Sequence, residues 1–209
     1  MRSFCFSSIA ALLTLCCSPA MSHSKPFRSF QMNEQALAPK LDLQLSVRKE
    51  GNQVVLGYHF TNGDEQPVVL VNFVAEAGLT PETDLQPVYV EPQAKGLVTV
   101  SQRALEEPQP PLSIRPLHSY LLVPAAKSHD VELRLALPLA RRAPRLGEVA
   151  RAISPAPTRL QLCLGTVPLA ALGTGLAQQL VAGELKIAPI SPTLAQKQHR
   201  VCSNTVAID

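Results

Sequence analysis

Tryptophan is missing from this 209-residue chain, and tyrosine and phenylalanine together number nine. A surface that stacks nucleobases needs several exposed aromatic rings along a basic groove. With so few rings, and a formal net charge of +3, a nucleic acid is not expected as partner. The same shortage counts against a sugar-stacking surface. Charged residues make up 17% of the chain, and the acidic ones are scattered, with no calcium-loop spacing. Nucleophile elbows, H-E-x-x-H, phosphate loops and dinucleotide glycine patterns are all absent. Ser22-His23-Ser24-Lys25 matches S-x-x-K by chance in unpatterned sequence. The histidines His23, His59, His118, His129 and His199 lie far apart, so no catalytic set, metal site or cofactor is expected.

Cysteine is scarce in an informative way. Of the five, Cys5, Cys16 and Cys17 fall in an N-terminal stretch with the order of a secretory signal. Arg2 is followed by an apolar run from Phe4 to Cys17, and then by Ser18-Pro19-Ala20. That run is short of the roughly 20 apolar residues a membrane span needs. Residues 1–22 are therefore expected to be a signal peptide, giving a periplasmic or secreted protein. A lipid anchor at Cys16 or Cys17 is disfavoured, because Leu15 and Cys16 stand where a small residue belongs. Later in the chain no stretch reads as a transmembrane span. Cys163 and Cys202 remain, and in an oxidising compartment such a pair reads as a disulfide. It would close a loop of about 40 residues and stabilise the fold by about 4 kcal/mol.

Strands dominate what is present. Residues 23–39 form a polar lead-in. Leu41, Leu43, Leu45 and Val47 then alternate with polar neighbours, the period of a strand with one wet face. Further strands are read at 54–60, 67–73, 88–90, 97–100, 120–123, 131–137, 159–165, 185–187 and 200–202, with turn residues between most of them. Leu146, Val149 and Ile153 sit at helical spacing, as do Leu169, Leu172, Leu176 and Leu180. Nineteen prolines, about twice the usual proportion, suit a loop-rich β protein. The expected fold is mainly all-β: an antiparallel, immunoglobulin-like β-sandwich over 40–209 with one or two short helices.

Two surface features could meet a partner. Arg141, Arg142, Arg145 and Arg151 form the densest basic patch, and Glu106–Pro116 is a proline-rich loop. Tyr58-His59-Phe60-Thr61-Asn62, followed by Gln66-Pro67-Val68-Val69-Leu70-Val71, resembles the opening strands of fimbrial chaperone domains. Pro110-Pro111 and Val123-Pro124-Ala125-Ala126-Lys127-Ser128 resemble the double proline and turn further along in that family. The basic pair that anchors subunits in such chaperones cannot be placed here. Export, sandwich pattern, one disulfide and missing catalytic residues together suggest a non-enzymatic binding or assembly module of the bacterial cell envelope, with another envelope protein as partner. The alternative is an exported enzyme inhibitor, or an enzyme with a site built from the 106–116 loop.

Overall fold

The computed structural model describes residues 40–73, 88–104, 117–142, 151–189 and 191–208. Their strands are β1 (Leu41–Glu50), β2 (Gln53–Asn62), β3 (Val68–Phe73), β4 (Tyr89–Pro92), β5 (Leu97–Gln102), β6 (Leu117–Val123) and β7 (Lys127–Ala136). Then come β8 (Ala140–Arg141), β9 (Arg151–Ala152), β10 (Arg159–Pro168), β11 (Leu185–Pro189), β12 (His199–Cys202) and β13 (Val206–Ala207). Two short helices, α1 (Thr174–Ala177) and α2 (Pro192–Gln196), join them. The signal-peptide, lead-in and 106–116 readings all fall on residues outside the described set.

The alternation at 41–47 makes β1, and Gly51, at φ +59°, makes the turn into β2. A left-handed residue there costs glycine little and any other residue more. β1, β2 and β7 form a three-stranded antiparallel sheet in that order. The larger sheet runs β11-β6-β3-β10-β5-β4, with β12 and β13 also on β10. The two sheets face each other across one core. Leu43, Val54, Leu56, Phe60, Leu133 and Leu135 come from the small sheet; Val68, Val98, Val100, Val123, Leu160 and Leu162 come from the large one.

A second apolar layer covers the other face of the large sheet. Val69, Val71, Tyr120 and Val167 pack there against Leu172, Leu180, Leu194 and Ala195 from the segment around α1 and α2. The helical spacing of Leu169–Leu180 accordingly yields a short 3₁₀ turn at Leu169–Ala171 and then α1. No helical spacing in the sequence marks α2. Its start is set by Pro192 in the first turn and by Ser191, whose Oγ accepts from the Leu194 amide at 3.2 Å. The Leu146–Ile153 helix is corrected in its described part. Arg151–Ala152 pair as β9 with β8, and the Ile153 amide donates to Leu139 O at 2.9 Å. Tertiary pairing there outweighs a local spacing of three apolar residues.

Strand β10 is the hub. Its residues 159–164 pair with β5 and residues 165–168 with β3, while β13 and β12 pair at 159–160 and 163–166. Because a strand has two edges, overlapping partners must sit on opposite ones. β5 and β3 therefore share one edge in succession, and β13 and β12 share the other. The β5–β10 pair runs parallel, a departure from the antiparallel expectation; a parallel neighbour needs a long crossover, supplied here by everything between β5 and β10.

Gly165 sits at this fork. A Cβ there would stand 2.5 Å from Gln198 Oε1 and 3.0 Å from Arg103 Cα. The missing side chain lets the Gln198 amide cross β10. Its Oε1 accepts from the Ala104 amide at 3.0 Å, and its Nε2 donates to Ala104 O at 3.2 Å.

Asn62 ties the two sheets at one end. The β2–β3 and β6–β7 connections both cross between sheets there. The buried Asn62 Nδ2 donates to Gln66 O at 3.0 Å and to Val123 O and Pro124 O, each at 3.1 Å. Its Oδ1 accepts from the Asp64 amide at 3.1 Å. One side chain thus holds both crossings.

Candidate functional site

Among the described residues the two sheets meet along one side and stay open along the other. On the closed side β1 lies against β12 and β13. On the open side β7 ends the small sheet, while the large sheet continues through β6 to β11. The inner face of β6 and β11 therefore lacks a facing strand among the described residues. The result is a cleft of about 430 Å³.

Its lining follows from strand alternation. Leu121 and Ser119 point inward from β6, and Leu185 and Ile187, their cross-strand partners, from β11. Leu70 and Asn72 contribute from β3, and His129, Val131 and Leu133 from β7. Tyr58 forms part of the floor, its hydroxyl donating to Gln102 Oε1 at 3.0 Å. Burial pushes the Tyr58 pKa up, so the phenol stays a neutral donor. Burial also holds the His129 imidazole below its ordinary pKa, against the opposing pull of Asp130. That histidine therefore favours the neutral form that suits an apolar wall.

Leu185 and Ile187 remain 64% and 50% exposed. Fully burying one such side chain is worth about 1.5–3 kcal/mol. Covering these two would bury roughly one side chain's worth of new apolar surface. The alternate residues of β11 face the other way, where Ala188 packs on the second layer. The sequence showed 185–187 as a strand but could not show that its apolar residues stay exposed; that depends on where the small sheet stops among the described residues.

The outer face of the small sheet is different in kind. Arg48 bonds Glu50 at 2.7 Å and Glu132 at 2.6 Å, and Arg134 bonds Glu50 at 2.9 Å and Glu132 as well. The four make a closed ring around Val55, which is fully buried beneath them. Each guanidinium donates to both carboxylates, which lowers the pKa of Glu50 and of Glu132. Beside the ring lies a shallow depression over Gly57, rimmed by Gln44, Ser46, His59 and Asp130. His59 Nδ1 meets Asp130 Oδ1 at 2.7 Å. This pair was invisible in sequence, since β2 and β7 meet only through the tertiary register. The Ser46 hydroxyl donates to Gly57 O at 3.1 Å, so it is committed to the backbone. Among the described residues no three His, Cys, Asp or Glu side chains gather as metal ligands.

Cys163 and Cys202 form a disulfide between directly opposed residues of β10 and β12, with Cα atoms 4.1 Å apart. Arg141 and Arg151 face each other across the β8–β9 pair. Arg142 is instead built into the sheet: its backbone exchanges hydrogen bonds with Val90 at 2.8 and 3.0 Å. Arg145 lies outside the described residues. The structure thus brings two of the four arginines together and uses a third to anchor the hairpin. Compared with known proteins, the chain matches no family model, no curated protein and no solved structure.

Proposed function

We propose that the chain is an exported, non-enzymatic binding or assembly module of the bacterial cell envelope, and that it seats its partner in the cleft between β7 and β11. The observation that carries this reading is the open side itself. Leu185 and Ile187 stand exposed on an inner sheet face, between two strand edges that pair with nothing else among the described residues. A concave, mostly apolar site with a few polar groups is the usual form of a binding site. The disulfide is compatible with an oxidising compartment outside the cytoplasm. No helix among the described residues is long and apolar enough to cross a membrane.

The strand layout supports an immunoglobulin-like kinship. β1-β2-β7 stand as the first, second and fifth strands of such a domain, and β3-β10-β12 as its third, sixth and seventh. In the constant-type layout a fourth strand lies beside the counterpart of β7. Here β6, fourth in that order, pairs with β3 instead, which leaves the flank of β7 open.

The reading is tested with an environment-sensitive fluorescent amino acid placed at Leu185 or, as control, at Gln44 on the outer face. Adding solubilised envelope proteins should shift the emission to the blue at 185 and leave it unchanged at 44. No shift at 185, or an equal shift at both, would overturn it.

A further inference from the structure

We infer that the cleft takes an extended segment of a second protein as an added strand on the free edge of β7. This deepens the binding reading given above and rests on it. Three observations point to a strand rather than to a compact ligand.

First, β7 is ten residues long and pairs with β2 on one edge, while its other edge pairs with no strand among the described residues. Alternate backbone N–H and C=O groups on that edge point to where a strand would lie. Second, the surface beside that edge has the period of a strand. Leu185 and Ile187, two residues apart on β11, are spaced to meet every second side chain of an extended segment, and Leu121 on β6 lies directly beside Leu185. Third, among the described residues the small sheet has three strands against a larger partner sheet, and a fourth beside β7 would cover the inner face that they leave exposed. Main-chain pairing would supply affinity, and the alternate pockets selectivity.

Charge sets the chemistry of the outward positions. On its outer face β7 presents Ser128, Asp130, Glu132 and Arg134 in turn. Glu132 and Arg134 are engaged in the ring with Arg48 and Glu50. Asp130 is 80% exposed beside His59. The fitting segment alternates apolar residues facing the cleft with polar ones facing out, and carries a lysine or arginine opposite Asp130.

The test uses the full exported chain and synthetic peptides of about eight residues, an ordinary strand length. One peptide has valine at every second position, threonine between, and a lysine at one outward position. A second has the same residues shuffled out of alternation, and a third is N-methylated at alternate amides. Affinity is read by fluorescence anisotropy, and amide hydrogen exchange is followed along β7 and β11.

The alternating peptide should bind, the other two about tenfold more weakly or worse, and β7 amides should exchange more slowly in the complex. Leu185→Asp, at an exposed position, should keep the fold by circular dichroism and lose about tenfold in affinity. Asp130→Asn should weaken the lysine peptide and leave a lysine-free version unchanged. Equal binding of the N-methylated peptide, or protection on β11 in place of β7, would overturn strand addition. So would tight binding of palmitate with every peptide inert, or sedimentation of the free chain as a dimer with β7 already protected. If every peptide fails while the fluorescence shift at position 185 persists, strand addition is wrong and the cleft remains the binding site. If both fail, both readings fall.

Discussion

Asn62 offers the sharpest check on the description of the fold, because one amide serves both crossings between the sheets. We predict that Asn62→Ala removes the three donations from Nδ2 and the acceptance from Asp64 N. The Val123 carbonyl lies in the fully buried part of that network, and orphaning a buried acceptor costs about 1–3 kcal/mol. The other partners are only partly buried and can turn to water, so each loses about 0.5–1.5 kcal/mol at most. Shared donors make these losses less than additive, and a total of about 2–4 kcal/mol follows. For a domain of this size that lowers Tm by about 4–16 °C.

Asn62→Asp should be worse than alanine at pH 7, since a carboxylate would face three carbonyl oxygens with nothing to donate. Its folded pKa would be raised above the unfolded value of about 3.9. In the window between the two values the folded state binds more protons, so the variant should gain stability as pH falls through it. Urea titrations of both variants at pH 7 and pH 4.5 measure this. A loss below about 1 kcal/mol for alanine, or an aspartate variant as stable as the parent at pH 7, would refute the argument.

Three further predictions concern stability. Reducing the Cys163–Cys202 bond, which spans 39 residues, should lower stability by about 4 kcal/mol on chain-entropy arithmetic; Cys163→Ala, Cys202→Ala and the double variant should agree with one another, and an unchanged denaturation midpoint under reductant would contradict this. Glu50 and Glu132 have folded pKa values lowered by Arg48 and Arg134, so their contribution is present above the unfolded glutamate pKa and is lost as pH falls through the folded one. Acid titration of Glu50→Gln/Glu132→Gln, compared with the parent and repeated in 1 M salt, should show a flatter pH dependence and less salt sensitivity than the parent. Gln198→Ala should speed amide exchange at Ala104 and the end of β5 while sparing β1 and β2; uniform acceleration would mean that the clamp is not local.

Legibility in the sequence tracked how local each signal was. The hairpin of β1 and β2 was plain, because alternation and the turn at Gly51 lie within one short stretch. Most other strands were also visible, and so was the disulfide, since Cys163 and Cys202 stand apart from the three cysteines of the first 17 residues. Pairing across long separations was not visible. Nothing near Arg159 tells that β10 takes a parallel neighbour from Leu97–Gln102, and nothing near His59 tells that Asp130 will lie beside it. The cleft was hidden for the same reason. Leu185-Lys186-Ile187 reads as any half-buried strand, and its exposure goes with a small sheet that, among the described residues, ends at β7. Arg142 looked like surface charge in sequence, yet its backbone pairs with Val90. Charge alone gave no hint of that.

The central claim is that the open side between β7 and β11 is where this protein meets its partner. Photo-crosslinking in the producing cells tests it most directly, with the photoreactive residue placed at Leu185, Ile187, Gln44 or Ser46. The account predicts one defined crosslinked species from 185 and 187, abolished by Val131→Asp in the same cleft, and none from 44 or 46. Crosslinks from 44 or 46 with silence at 185 and 187 would place the contact on the charged outer face and contradict the account.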